Sequence, residues 1–431
     1  MTATLVVVAN MIGTGAFTTT GLLVRDLASA PAILIGWALG GAIALCGALS
    51  YGELGASITS NGGEYRFLSR LYHPAVGFIA GWISLVVGFS APIAASALAF
   101  GTYVHAIWPG VPISAAGVGL ILITSAVHAL HVRAGSSLQN LFALGKVGLI
   151  LVFIVGGLLQ AESGSLAGAS RPLGQALLSP SFAIGLIFIA FAYSGWNGAA
   201  YVAGEVRRPE RNVPLALGIG TALVALLYLG LNLVFLLSGP AAVLAGKVEI
   251  GHVAAVRLFG QAAGSLLSGL IALALVSSVS AMIMVGPRVY EAMGEDYRPL
   301  RFLRTRPQHG GPAASIGLQA ALAIIMLLTA SFGALLTYIG FTLSLSAALT
   351  VGGVFVLRRR ESNVHPVVRT WGYPVTPILF IAFSAWMVIH AVHERPLEAL
   401  TGMLTIALGF VVWAIVRHLH LQTSPKGGSS S

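Results

Sequence analysis

Residues 75–107 contain no Asp, Glu, Lys or Arg, an uncharged run of 33 residues. The hydrocarbon core of a bilayer is ~30 Å thick and takes about 20 apolar residues per helix, so a run of this kind is read as a membrane span. Its extra length fits a helix that tilts or extends beyond the bilayer. Similar runs recur along the chain. They give twelve expected spans, at about 4–24, 31–57, 74–107, 113–131, 136–159, 181–203, 213–237, 260–287, 313–331, 333–357, 375–393 and 398–416. Only 8% of the 431 residues are charged, against roughly 25% in soluble domains. No segment is polar and long enough for a separate soluble domain. The expected fold class is therefore an all-α polytopic membrane protein.

Several function classes fall away at this level. The apolar run beginning at Thr4 has no basic leader and no small-residue cleavage site, so no cleavable signal is expected. Cys46 is the single cysteine, which excludes an intrachain disulfide, and it reads as a small buried apolar residue. His128, His131, His365, His390, His393, His418 and His420 fall near span ends without ligand geometry, so no metal or cofactor is expected. Neither a His-Glu-x-x-His helix nor a nucleophile elbow is present, and no enzyme is expected.

The net charge of +10 reports orientation rather than a nucleic-acid partner. With the N-terminus in the cytoplasm, 17 of the 23 Lys and Arg fall on the inner side, among them Arg66, Arg70, Arg133, Arg207, Arg208, Arg211, the Arg298–Arg306 group, Arg358, Arg359, Arg360 and Lys426. Five fall outside: Arg25, Arg171, Lys247, Arg257 and Arg395. The bias matches the positive-inside rule. The chain is expected in the cell membrane, with both termini cytoplasmic.

Two spans are interrupted. The first carries Gly13-Thr14-Gly15 in "NMIGTGAF", and the sixth carries Ser194-Gly195 in "AFAYSGWNGAAY". Five spans separate their starts, so the two run in opposite directions. Glycine-interrupted helices at corresponding places in two halves point to an inverted-repeat transporter with its site at the bilayer midplane. The halves are expected at 4–160 and 181–357, followed by two further helices at 375–416 and a cytoplasmic tail at 417–431.

A break frees backbone groups. N–H groups at the start of a second half-helix suit an anion, and carbonyls at the end of a first half suit a cation. Together they suit a zwitterion such as an α-amino acid. The N–H groups around Thr14 and Gly15, with the Thr14 hydroxyl, are expected to hold the carboxylate. The carbonyls of Met11, Phe191 and Ser194 are expected to hold the ammonium. Phe191 and Trp196 flank the second break, where they can close over a side chain or simply pack. Lys146 lies about ten residues into the fifth span, ~15 Å from its end. A charge at that depth is functional by default. Its ammonium can brace the first span against the eighth in place of a sodium ion, or titrate and couple transport to protons. Ser277, Ser278 and Ser280 of the eighth span are its expected partners. In the loops, Glu205, Arg207, Arg208, Glu210 and Arg211 are candidates for an inner gate with Glu53 or Glu64, against the plain reading of a solvated loop.

These residues resemble the amino acid–polyamine–organocation transporter superfamily, most closely its L-type amino acid transporter branch and bacterial relatives. The resemblance rests on "MIGTGAF", on "YGELGASITSNGGEYRFLSRLYHPAVGFIAGW" (51–82), on "FAYSGWNGAAYVAGEVRRPERNVPLAL" (191–217) and on "NLFALGKVG". It implies a leucine-transporter-type fold, ten core helices in a five-plus-five inverted repeat plus two C-terminal helices. It implies sodium-independent amino acid transport, by exchange or with protons. It adds Asn197 to the substrate set, which with the break residues Ile12, Gly13 and Gly195 becomes Met11, Ile12, Gly13, Thr14, Gly15, Phe191, Ser194, Gly195, Trp196 and Asn197. It gives Lys146 the place of a sodium site. Ser194 stands where many relatives have glycine, which favours smaller side chains, and the expected substrate is a neutral amino acid. The loop after the third span, "WPGVP", lacks the cysteine through which animal members bond a glycoprotein subunit, so no disulfide-linked partner is expected and a monomer suffices. The alternatives are a polyamine or other amine transporter, disfavoured by the lack of an evident acidic residue in the pocket, and a non-transporting amino acid receptor.

Overall fold

The computed structural model describes residues 3–130, 135–161, 171–307, 310–360 and 368–423. His131, Arg133, His365 and Lys426 lie outside the described residues, as does the tail beyond 423. The described residues contain no strand. The first expected span is two helices, α1 (Ala3–Met11) and α2 (Thr14–Leu27), followed by α3 (Ala30–Ser57). A short α4 (Glu64–Leu71) leads into α5 (Pro74–Ile83), which continues through a π-helical segment, Ser84–Ser90, into α6 (Ala91–Ile107). Then come α7 (Ile113–Leu130), α8 (Gly135–Gln160), α9 (Leu173–Leu177), α10 (Pro180–Tyr193) and α11 (Gly198–Tyr201). The remainder is α12 (Pro209–Leu237), α13 (Ala241–Leu244), α14 (Ile250–Phe259), α15 (Gln261–Asp296), α16 (Ala313–Thr329), α17 (Phe332–Arg360), α18 (Val375–Glu394) and α19 (Pro396–Thr423).

Ten of these helices or helix pairs are long and apolar enough to cross a membrane. At the expected sixth and ninth spans stand the shorter apolar helices Pro180–Tyr193 and Ala313–Thr329. The sixth span departs most from expectation: its helix stops at Tyr193, and only four residues of α11 follow the break. Helices α4, α13 and α14 occupy connections where the hydropathy pattern predicts no helix.

Local chemistry explains the starts and irregularities. Pro74, Pro180 and Pro209 open their helices, where a missing N–H costs nothing. Pro92 lacks the donor that would close an ordinary turn. The preceding segment widens instead, with the Ala91 N–H reaching Val86 O and Ser90 Oγ donating to Leu85 O at 2.7 Å.

The chain is arranged with its polar side chains inward. Leu141, Leu144, Val152, Val155 and Leu159 of α8 are exposed, as are Leu400, Leu404, Leu408 and Val411 of α19. Thr14, Thr18, Ser96, Lys146, Asn232 and Ser278 are buried. Lipid tails solvate the apolar outer faces, and polar groups find partners only inside. Cys46 is half-buried rather than enclosed. The two broken helices lie inside the bundle, α2 against α10 and α1 against α11. A Cβ at Gly15 would stand 2.3 Å from Ala192 Cα, so glycine is what allows this approach.

The arginine-rich side is tied by ion pairs. Arg358 makes two 2.8 Å bonds to the Glu53 carboxylate, which is wholly buried and also accepts the Thr370 N–H at 2.6 Å. The same guanidinium lies 3.6 Å over the Tyr373 ring. Arg66 bonds Glu295 and Asp296 at 2.8 and 2.7 Å, joining α4 to the end of α15. Glu205 pairs with Arg288 at 3.1 Å. The inner-gate network expected from the loops is thus corrected: Glu205 turns to α15, Glu53 is held by α17, and Glu64 is held by neutral donors.

Arg358→Met leaves the Glu53 carboxylate buried without its cation. Because Arg358 is itself partly exposed, the expected cost is near the low end of the range for such losses, about 3 kcal/mol. Adding Glu53→Gln is expected to recover most of it. Thermal unfolding in detergent, followed by tryptophan fluorescence, measures both. A double variant no more stable than Arg358→Met would show that the pair does not anchor this end.

Candidate functional site

The first break is short. Ile12 N still bonds Val8 O at 2.9 Å, then Gly13 is extended (φ −140°, ψ −150°) and α2 begins at Thr14 with no side-chain cap. The amide end of α2 therefore faces the break with its positive partial charge. The second break spans Ser194–Asn197. Ser194 N bonds Phe191 O at 2.9 Å, and Gly195 adopts φ +93°, a left-handed conformation that favours glycine. A Cβ at Gly195 would lie 2.7 Å from Asn10 O, and one at Gly198 would lie 3.0 Å from Asn10 Nδ2. Asn10 therefore joins the two breaks. It is a polar residue in an apolar run, and that is the sequence signal that marks it.

Lys146 sits at the carbonyl end of α1 and is only 2% exposed. Its Nζ donates to Ile12 O at 2.9 Å and to Ser278 Oγ at 2.8 Å, with Ala9 O at 3.5 Å. Ser278 Oγ in turn lies 3.1 Å from Ala274 O and 3.3 Å from Ile12 O. One ammonium thus ties α8 to the break in the first span and to α15. The cation meets the negative end of the α1 dipole, which favours it. The other two serines expected beside the lysine are not there. Ser277 Oγ is buried without a hydrogen-bond partner among the described residues, and Ser280 Oγ pairs with His128 Nε2 at 2.8 Å.

Several groups expected to receive substrate are engaged within the protein. Tyr228 donates its hydroxyl to Met11 O, and the Thr14 hydroxyl pairs with Ser96 Oγ of α6. Phe191 O accepts the Ser194 N–H. Tyr228 also packs with Trp37 and Tyr193, ring centroids 5.5 and 5.2 Å away, which backs the first break with aromatic rings.

Phe191, Ser194, Gly195, Trp196 and Asn197 line a cavity of about 80 Å³ between α3, α10, α17 and α18. It lies on the α17–α18 side of the break; Met11, Ile12, Gly13, Thr14 and Gly15 are absent from its lining. Trp196 is wedged there, its ring 4.7 Å from that of Tyr51 and 5.8 Å from that of Phe380.

Glu64, an acid that the sequence places in a charged connecting loop, also lines this cavity. It is 5% exposed, on α4, outside the membrane spans. Its Oε1 accepts from Tyr51 Oη at 2.7 Å and from Asn197 Nδ2 at 3.2 Å, and its Oε2 accepts from Ser346 Oγ at 2.5 Å. Burial pushes its carboxyl above the usual carboxylate range, against the pull of those three hydrogen bonds. A loop position gives no hint of such burial.

A polytopic helical bundle with two oppositely placed broken helices meeting inside it has the architecture of a membrane transporter. The sequence model of the Amino acid permease family matches residues 1–415. The chain belongs to that family, a family of membrane transporters and not of enzymes. It is 27% identical over 427 residues to the b(0,+)-type amino acid transporter 1 of Homo sapiens, covering 96% of this chain and 86% of that protein. It is 28% identical over 386 residues to the Serine/threonine exchanger SteT of Bacillus subtilis (strain 168), covering 88% and 87%. It is 26% identical over 449 residues to the Large neutral amino acids transporter small subunit 2 of Mus musculus, covering 98% and 80%.

Lys146→Met removes the Nζ donor from Ile12 O and Ser278 Oγ, leaving Ile12 O only the longer 3.3 Å contact from Ser278 Oγ. The expected loss is about 1–3 kcal/mol. Ser278→Ala is expected to cost less, because Ile12 O keeps Lys146. Thermal unfolding of the two variants side by side measures the order, and equal losses would show that the ammonium does not hold the break.

Proposed function

We propose that the protein is a sodium-independent transporter of neutral amino acids that works by alternating access, in exchange or with protons. The observation that carries this reading is the placement of Lys146 Nζ between Ile12 O and Ser278 Oγ. A fixed ammonium joining the first break to α15 does the bracing that a bound sodium ion would otherwise supply. The amide end of α2 suits a substrate carboxylate. For Met11 O and Phe191 O to receive the ammonium group, they must exchange their bonds with Tyr228 and the Ser194 N–H. Substrate binding would then rearrange both breaks, which is the coupling alternating access needs. Residues 4–160 and 181–357 are proposed as inverted repeats, with α18 and α19 outside them and twelve crossings in all. The pairing of α2 with α10 and of α1 with α11 supports this arrangement. The basic side is proposed to face the cytoplasm, with both termini there.

The names of the relatives support amino acids as the substrate class. The exchanger among them is described by serine and threonine, and Ser194 in this chain's second break favours small side chains of that kind. With Cys46 as the single cysteine, within α3, no disulfide-linked subunit is proposed. Glu64 in the cavity wall supports a second reading, transport of an amine.

Purified protein in liposomes loaded with unlabelled amino acids is expected to take up labelled serine, threonine or alanine, and replacing Na⁺ by choline is expected to leave the rate unchanged. Uptake of no proteinogenic amino acid, by exchange or under a proton gradient, would overturn the proposal. Competition by putrescine but not by alanine would move it to the amine reading. Lys146→Ala is expected to lower transport at least tenfold while binding falls less. Unchanged kinetics in both directions would leave the lysine a structural role alone.

A further inference from the structure

Glu64 is a buried carboxyl with no cation among the groups that hold it. Its three hydrogen-bond partners are neutral: Tyr51 of α3, Asn197 of the second break and Ser346 of α17. Among the described residues the Tyr201 phenol of α11 also interacts with it, its oxygen 3.4 Å from Asn197 Nδ2. The nearby charges are committed elsewhere. Arg66 and Tyr65, its neighbours on α4, bond Asp296, and Arg66 also bonds Glu295. Arg358 of α17 is held by Glu53. Glu64 also borders the cavity, whose wall carries the hydroxyls of Ser194, Ser344 and Ser384. A cavity of about 80 Å³ admits water.

We propose that Glu64 is the proton-binding group of the transport cycle, loaded from the cavity between α3, α10, α17 and α18 and sensed by Asn197. This rests on the reading of the protein as an amino acid transporter. A hydronium ion in the cavity gives its proton to a carboxylate oxygen and remains as water, and the neutral acid then has an O–H to donate. Ser346 and Tyr51 carry hydroxyls, which donate or accept, so they can reverse their bonds. The Asn197 amide nitrogen only donates. Protonation at either oxygen removes the charge that strengthens this bond, and at Oε1 the new O–H also takes up a lone pair that Tyr51 and Asn197 share, so the Asn197 bond weakens. Asn197 is two residues beyond Gly195, so loosening that bond acts directly on the second break. Lys146 is absent from the cavity's lining.

Burial favours the neutral acid, so loading occurs above the usual carboxylate range, and acidification on the cavity side drives it. The test is proton movement during amino acid uptake into sodium-free liposomes holding a pH-sensitive dye. Wild type is expected to acidify the lumen with substrate entry. In Glu64→Gln the ratio of protons to amino acid moved is expected to fall at least tenfold. Ser346→Ala removes a bond to the charged form and is expected to shift the pH midpoint of uptake upward by about 0.5–1 unit.

Amino acid uptake by wild type without proton movement overturns this proposal alone. So does a wild-type ratio in Glu64→Gln. Should Glu64→Gln fail to fold, an unshifted midpoint in Ser346→Ala overturns the proposal. Wild type that moves no amino acid at all overturns the transporter reading, and this proposal with it.

Discussion

A backbone group in lipid has no water to bond, so every break in a spanning helix creates an obligation that other parts of the protein must meet. The bond from Lys146 Nζ to Ile12 O meets part of that obligation in the first span. Around it, Tyr228 takes Met11 O, and Ser278 supports the lysine from α15. Four helices, α1, α8, α12 and α15, therefore converge on two carbonyls. The arrangement of the bundle around α1 depends on this small set of contacts.

The second break is held differently. No cation bonds it among the described residues. Gly195 takes a conformation few other residues adopt, Asn10 packs into the turn, and Asn197 reaches across to Glu64. Bonds from neutral donors of this kind exchange more readily than an ammonium clamped between a carbonyl and a hydroxyl. The first break is thus held by an ammonium and the second by neutral donors. The short α11, only Gly198–Tyr201, adds few helical bonds beyond the second break.

Much of the site was legible in the sequence because a membrane makes certain residues conspicuous. Lys146 stood out by depth alone, and the two glycine breaks stood out against apolar runs. The choice among three serines was not legible. At ~100° of rotation per residue, Ser277 and Ser280 point away from the side that Ser278 presents to Lys146, and only packing decides which side that is. Ser280 faces α7, where His128 meets it. Glu64 was legible only as a partner of a loop gate, and its place in the cavity wall was hidden for the opposite reason. A carboxylate in a charged connecting loop reads as solvated, and its burial follows from α4 tucking against α17 and bringing Glu64 to Tyr51 and Ser346.

The sequence by itself determined that the chain spans a membrane, that its first and sixth spans are interrupted, and that a lone cation lies at mid-depth. Those properties follow from hydropathy, glycine and charge read along one dimension. Only the tertiary structure decided that Met11 O, Thr14 and Phe191 O are engaged within the protein, and that the cavity is walled by α17 and α18. It also decided that an acid stands beside Asn197. These are relations between residues as much as 282 positions apart, such as Glu64 and Ser346. They are set by how helices rotate and pack against one another, which a one-dimensional pattern does not encode.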